Sequence, residues 1–142
     1  MNTHQLNAKF NNEVGSKIVL ACLVSGFGAF IAFMNAMSEY DPPVGEAEGY
    51  VSVILLIGGL AAGILSHFGF RWRMRRMKSK NEDRSLFRVF EFATSTALVP
   101  ALLSLANGIL TAYFLTSLIL CLISVFTVLL QSAYLRKAGN RN

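Results

Sequence analysis

From Phe92 to Leu135 the sequence runs for 44 residues without a charged side chain. A bilayer core about 30 Å thick is crossed by roughly 20 helical residues. The run is therefore too long for one span and suits two. The Asn107-Gly108 pair near its middle carries turn chemistry and predicts a helical hairpin, with spans over 87–106 and 109–135. Two further charge-free blocks, Ile18–Ser38 and Gly49–Phe70, have single-span length and predict spans over 18–37 and 50–70. The expected fold is all-α. Residues 1–142 form one integral membrane domain of four transmembrane helices, arranged as two antiparallel hairpins.

A second pattern lies inside the spans, where small residues recur at every fourth position. Ala21, Ser25 and Ala29 form one stripe of the first span, and Gly28, Ala32 and Ala36 adjoin it. Gly59 and Gly63 make the tight-crossing spacing in the second span, beside Gly58, Ala62 and Ser66, and Ala93, Ala97 and Ala101 make a third stripe. Such stripes let helix backbones approach closely. The Gly59/Gly63 stripe is expected to meet the first span, or the second span of a neighbouring copy. Pro100 lacks an amide donor and frees the carbonyl of Thr96. A kink is expected there, with Ser or Thr hydroxyls satisfying the freed group. In the last span, Ser117, Cys121, Ser124 and Gln131 fall within one narrow arc at about 100° per residue. This polar stripe should face inward and bond neighbouring helices, or else line a narrow path.

Composition agrees with the pattern: 54% of residues are hydrophobic, and mean hydropathy is +0.48. The net charge of +5 informs only when split by segment. All 13 basic residues lie in the two tails and the segment 71–91, while Glu39, Asp41, Glu46 and Glu48 occupy the loop between the first two spans with no basic residue. That is the positive-inside pattern. It predicts cytoplasmic N- and C-termini, a cytoplasmic basic loop over 71–86, and an outward acidic loop stiffened by Pro42-Pro43 and flanked by Tyr40 and Tyr50. The compact loops and this bias point to a multi-pass protein of a bacterial inner membrane. The first apolar run is about 20 residues, longer than the 7–15 or so of a signal peptide, so it is read as a retained helix. Residues 1–17 read as a short polar tail that lies on the membrane through Leu6 and Phe10.

Candidate chemistry is sparse. Cys22 and Cys121 are too few for a disulfide framework. They fall at different depths and read as small packing residues rather than a bridge. The four loop carboxylates lack the spacing of a calcium loop. His67 continues the Gly59/Gly63 stripe and should face protein with its ring hydrogen-bonded; a haem would ask for a second axial ligand, and the other histidine, His4, lies in the tail. Glu91 is the deepest carboxylate and is spaced to pair with Arg88, with Asp83 or Ser85 capping that helix. Asn35 sits at the outer end of the first span. Arg71, Trp72, Arg73, Arg75 and Arg76 are placed to meet anionic headgroups or a protein partner, and nucleic acid is not expected. No cofactor or metal is expected, and no catalytic motif is present.

The layout resembles that of small multidrug exporters, but the carboxylate those carry within the first helix is missing. Driven transport and catalysis ask for ionisable groups at membrane depth, and the span centres have none. The expectation is a non-enzymatic protein acting through helix–helix contacts. It would be an accessory subunit of a larger membrane complex, or an immunity- or exclusion-type binder. The alternative is a homo-oligomeric channel or small-solute transporter lined by the polar stripe of the last span.

Overall fold

The computed structural model describes residues 3–38, 41, 43–77 and 83–139. Their elements are α1 (Thr3–Met37), a 3-10 turn (Gly45–Ala47), α2 (Glu48–Met77), α3 (Asp83–Thr96), α4 (Val99–Leu110) and α5 (Phe114–Gly139). Four stretches are long and apolar enough to cross a membrane: Ala8–Met37, Gly45–Arg76, Leu86–Leu110 and Phe114–Lys137. The all-helical, multi-pass architecture is thus as predicted. Tyr40, Pro42 and the loop residues 78–82 lie outside the described residues, as do the side chains of His4, Leu6, Asp83 and Ser85.

The helices do not pack in sequence order. α1 packs on α4 and α5, α2 packs on the same two, and α4 and α5 pack on each other, while α1 and α2 make no extended contact. Two helices that share both neighbours but not each other lie on opposite sides of that pair. α4–α5 is therefore the middle layer, and the first two spans do not pack on each other.

The two ends of the bundle are filled differently. At one end Phe10, Val14, Phe70, Met74, Phe90 and Val128 form a core of large side chains. Rings meet there at centroid distances of 5.1 Å (Phe10–Phe90), 5.5 Å (Phe10–Phe87) and 6.0 Å (Phe70–Phe90 and Phe70–Tyr134). Towards the other end the buried positions shrink to Ala32, Ser104, Asn107, Thr111 and Ser117, and backbones touch directly. A Cβ built on Gly28 would lie 2.5 Å from the Ser104 carbonyl oxygen, and one on Gly108 would fall on the Gly28 carbonyl.

Two local expectations are corrected. The expected tail is helix over its described part, 3–17: α1 is helical from Thr3, and Phe10 and Val14 are only 8% and 9% exposed. With Ile18, Ala21 and Ser25 they continue one face at helical spacing, and that face docks on α3 and α5. Arg136 of α5 donates to Asn11 Oδ1 at 3.0 Å, and Lys17 Nζ donates to Ser95 Oγ at 3.1 Å. Asn107-Gly108, in turn, is not the turn between the last two spans. Both residues are buried inside α4, and the chain reverses at Thr111–Tyr113. Asn107 Nδ2 reaches across that reversal to Tyr113 O (2.9 Å) and Ser117 Oγ (3.0 Å), and Thr111 Oγ1 donates back to Asn107 O at 2.9 Å. The glycine is needed for contact with α1 rather than for a turn.

Overpacking a tight contact costs about 1–3 kcal/mol or more. Gly108→Ala should therefore lower stability by at least about 2 kcal/mol in detergent unfolding titrations. Gly26→Ala, with nothing within 4 Å of its Cβ position, should stay within about 0.5 kcal/mol of the parent. Phe10→Ala should cost about 3 kcal/mol in the same assay, where a loose tail would give a change near zero.

Candidate functional site

The inner face of α5 is built by spacing. Ser117, Leu120, Ser124, Val128 and Gln131 are fully buried, as residues three or four apart on one helix face should be. The three polar members each reach a different segment: α4, the turn after α3, and α2. Ser117 Oγ donates to Ser104 O, and Ser104 Oγ donates to Ser117 O, both at 3.1 Å, which clasps α4 to α5. Ser104 Oγ also lies 3.3 Å from Ser25 O of α1. Ser124 Oγ donates to Ala97 O at 2.6 Å. Gln131 Nε2 donates to Ser66 Oγ of α2 at 2.9 Å, and Ser66 Oγ stands 2.8 Å from Thr96 Oγ1 and 3.1 Å from Ala93 O.

Pro100 explains where this seam forms. The third span is broken rather than kinked: α3 ends at Thr96, residues 97–98 form a turn, and α4 starts with Pro100 in its first turn. A proline is tolerated there because its missing N–H would have no helical partner. The carbonyl that a hydroxyl takes up is Ala97's, one residue beyond the Thr96 carbonyl named from the sequence. Thr96 Oγ1 itself donates to Ala93 O at 2.8 Å. A broken helix at membrane depth needs its backbone groups satisfied by protein, and Ser124 serves that need at Ala97 O.

The stripe residues are placed as follows. Ala21, Ser25, Gly28, Ala29, Ala32, Ala93, Ala97 and Ala101 are buried, whereas Ala36 is exposed. Gly59 and Gly63 meet α5, not the first span or a neighbouring copy. A Cβ on Gly59 would collide with Leu120 and sit 3.6 Å from Pro100 Cβ, and one on Gly63 would lie 2.9 Å from Thr127 Oγ1. The spacing reports that a backbone can come close, but not which one does. Cys22 is exposed and Cys121 half-buried, and both are free thiols.

The remaining candidates spread out. Asn35 Nδ2 donates to Gly108 O at 3.0 Å and ties α1 to α4. His67 is half-buried, 6.2 Å from the Phe68 ring, and its Nδ1 has no partner among the described residues, unlike the hydrogen-bonded ring expected. Glu91 is exposed, and its backbone carbonyl accepts the hydroxyls of Thr94 and Ser95. The expected Arg88–Glu91 pair is not formed; among the described residues the ion pair is Lys17–Glu13, at 3.3 Å within α1. Arg76 lies 3.9 Å above the Trp72 ring, Arg73 4.6 Å above Phe92 and Arg71 5.4 Å above Tyr134, which are cation–π distances. Arg75 is exposed. Among the described residues, no group of three or more His, Cys, Asp or Glu is placed to hold a metal ion.

Sequence reasoning missed Ser104, Asn107 and Glu48. Ser104 and Gly108 extend the Ala93/Ala97/Ala101 stripe at helical spacing, a signal that was present. Glu48 accepts the Ala112 N–H and pins the reversal before α5. Nothing in its spacing within an acidic loop sets it apart. Interhelical hydrogen bonds in membranes average about 0.6 kcal/mol in double-mutant cycles. A cycle on Ser66→Ala and Gln131→Leu should return a coupling of about that size, and zero coupling would mean that the α2–α5 bond is not made.

No known protein family matches this sequence, and neither a curated protein nor a solved structure is detectably similar to it.

Proposed function

We propose that this chain is a non-enzymatic protein of a bacterial inner membrane that works through helix–helix contacts. It serves as an accessory subunit of a larger membrane complex or as an immunity- or exclusion-type binder of another membrane protein. The observation that carries this reading is the α5 seam. Ser117, Ser124 and Gln131 direct their donors at Ser104, Ala97 and Ser66. Side chains that line a solute path keep their polar atoms turned to that path; here the three donors are engaged with neighbouring segments, and only Gln131 Oε1 has no partner among the described residues. What is left for recognition is the outer surface, where α1 and α2 flank the middle layer and present Leu23, Phe27, Phe30, Ile57 and Leu65.

Charge supports an orientation with four crossings and both termini cytoplasmic, although the first two spans flank α4–α5 instead of packing together as a hairpin. The Arg136–Asn11 bond sets the start of α1 beside the end of α5. Arg71 reaches Tyr134 at that same end. Glu48 sits at the opposite end, against the reversal at Thr111–Tyr113. Basic residues gather on the cytoplasmic side of membrane proteins. In this orientation Arg71, Trp72, Arg73, Arg75 and Arg76 meet anionic headgroups on the inner leaflet and the near edge of the partner.

Gentle-detergent extraction of the intact protein, followed by mass determination, tests the reading. The expected product contains an unlike membrane protein in fixed ratio. Gly26→Leu should weaken that association without unfolding the bundle. A homo-oligomer whose ion flux is blocked by Ser124→Leu or Gln131→Leu would replace this reading with the channel. An externally accessible C-terminal tag would overturn the orientation.

A further inference from the structure

The arginines of α2 sort onto two sides of the helix. Arg71 lies 5.4 Å from the Tyr134 ring of α5, and Arg73 lies 4.6 Å from the Phe92 ring of α3. Arg76 stands three residues beyond Arg73, about 60° from it around the helix, and rests 3.9 Å over the Trp72 ring. On α3, Arg88 is one turn from Phe92 and is exposed, as Arg73, Arg76, Trp72 and Phe92 are. Three guanidinium groups therefore border the α2–α3 seam at the basic end. Among the described residues no carboxylate pairs with them. Glu91 is turned about 100° from Phe92, to the side where Ser95 accepts from Lys17 of α1.

The ring contacts hold Arg73 and Arg76 in place before any ligand arrives, which lowers the entropy lost on binding. A ring takes up one face or one N–H of a guanidinium and leaves most of its five donors, whose fork fits the oxygens of a phosphate. Deeper in the membrane the same side of the seam is open. One turn from Arg73 towards the membrane interior lies Gly69, exposed and with no atom within 4 Å of its Cβ position. Ala62 continues that side, and Leu103 of α4 comes within 3.7 Å of a Cβ on Gly58. On the α5 side the position one turn deeper than Arg71 is His67, which is half-buried. An acyl chain entering beside Arg73 therefore has a bed along α2, whereas one entering beside Arg71 meets an imidazole.

We propose that the α2–α3 seam seats one anionic phospholipid, with its phosphate on Arg73, Arg76 and Arg88 and an acyl chain over Gly69. The negative headgroup matches three cations gathered at one seam, and the bilayer supplies the ligand at the depth where the seam opens. The inference goes beyond general attraction to a leaflet, because it assigns one seam and one lipid per chain. It rests on the proposed function only in placing the basic end at a headgroup layer.

The test uses the full chain in mild detergent, titrated with phosphatidylglycerol or phosphatidylcholine of identical acyl chains and read by native mass spectrometry. The first phosphatidylglycerol should bind about tenfold or more tightly than the second, and than phosphatidylcholine, because several charge-assisted contacts are at stake. Arg73→Gln with Arg76→Gln should remove that preference. Arg88→Gln disturbs no ring contact and should also weaken the first lipid, which keeps the test decisive if the double variant does not fold. Lys9→Gln with Lys137→Gln takes two exposed charges from the same end and should leave the preference intact. Gly69→Leu keeps every charge and should weaken the first lipid severalfold. Equal affinity for the two headgroups, or equal loss in the Lys9 and Lys137 variant, would overturn the site. An unchanged first lipid in Gly69→Leu would overturn the acyl seat. A failed partner pull-down would leave the lipid count standing, and a failed lipid count would leave the partner reading standing.

Discussion

The contact of Gly28 with Gly108 and Ser104 is the constraint on which the bundle rests. In lipid, burying apolar surface gives helices no reason to associate, so packing and hydrogen bonds must do it. The closest packing available is backbone on backbone, and a side chain at either glycine would occupy the space of the other helix's main chain. Once α1 is held at that distance, the Ser25 carbonyl comes within reach of Ser104, and Asn35 comes within reach of Gly108 O. The polar bonds and the close crossing therefore support each other.

The break in the third span is the second organising feature. A continuous helix through Pro100 would lose one backbone bond and clash with the preceding turn. Ending α3 at Thr96 and restarting at Val99 avoids the clash but leaves carbonyls in the membrane interior. Ser124 from α5 takes that of Ala97, and Ser66 from α2 adds a second bond to Ala93 O, which already accepts the Ala97 N–H. The polar residues of the last span are best understood as the complement of this break. They sit on the face of α5 that meets α3 and α4, which is why that face is polar while the rest of the helix is Leu, Ile, Val and Phe.

At the basic end the bulk is aromatic. Phe10, Phe70, Phe90 and Tyr134 fill the space among α1, α2, α3 and α5, and arginines lie over the rings at its edge. Cation–π contact holds these guanidinium groups against the rings, and among the described residues none of them pairs with a carboxylate.

The sequence by itself determined the features that a bilayer demands of each segment separately: all-helical spans long enough to cross, the sorting of basic and acidic loops, the small-residue stripes, and the inward arc of Ser117, Ser124 and Gln131. These are one-dimensional consequences of length, periodicity and charge. Only the tertiary structure decided which faces meet. Gly59 and Gly63 carry the same signal whether they face α1 or α5. Asn107-Gly108 reads as a turn until α1 supplies the backbone that its glycine admits. Phe10 and Val14 are too sparse in a polar stretch to announce a helix until α3 and α5 bury them. Phe33 and Phe114, 81 positions apart, meet at 6.0 Å through the register of two packed helices, and no local pattern encodes that register.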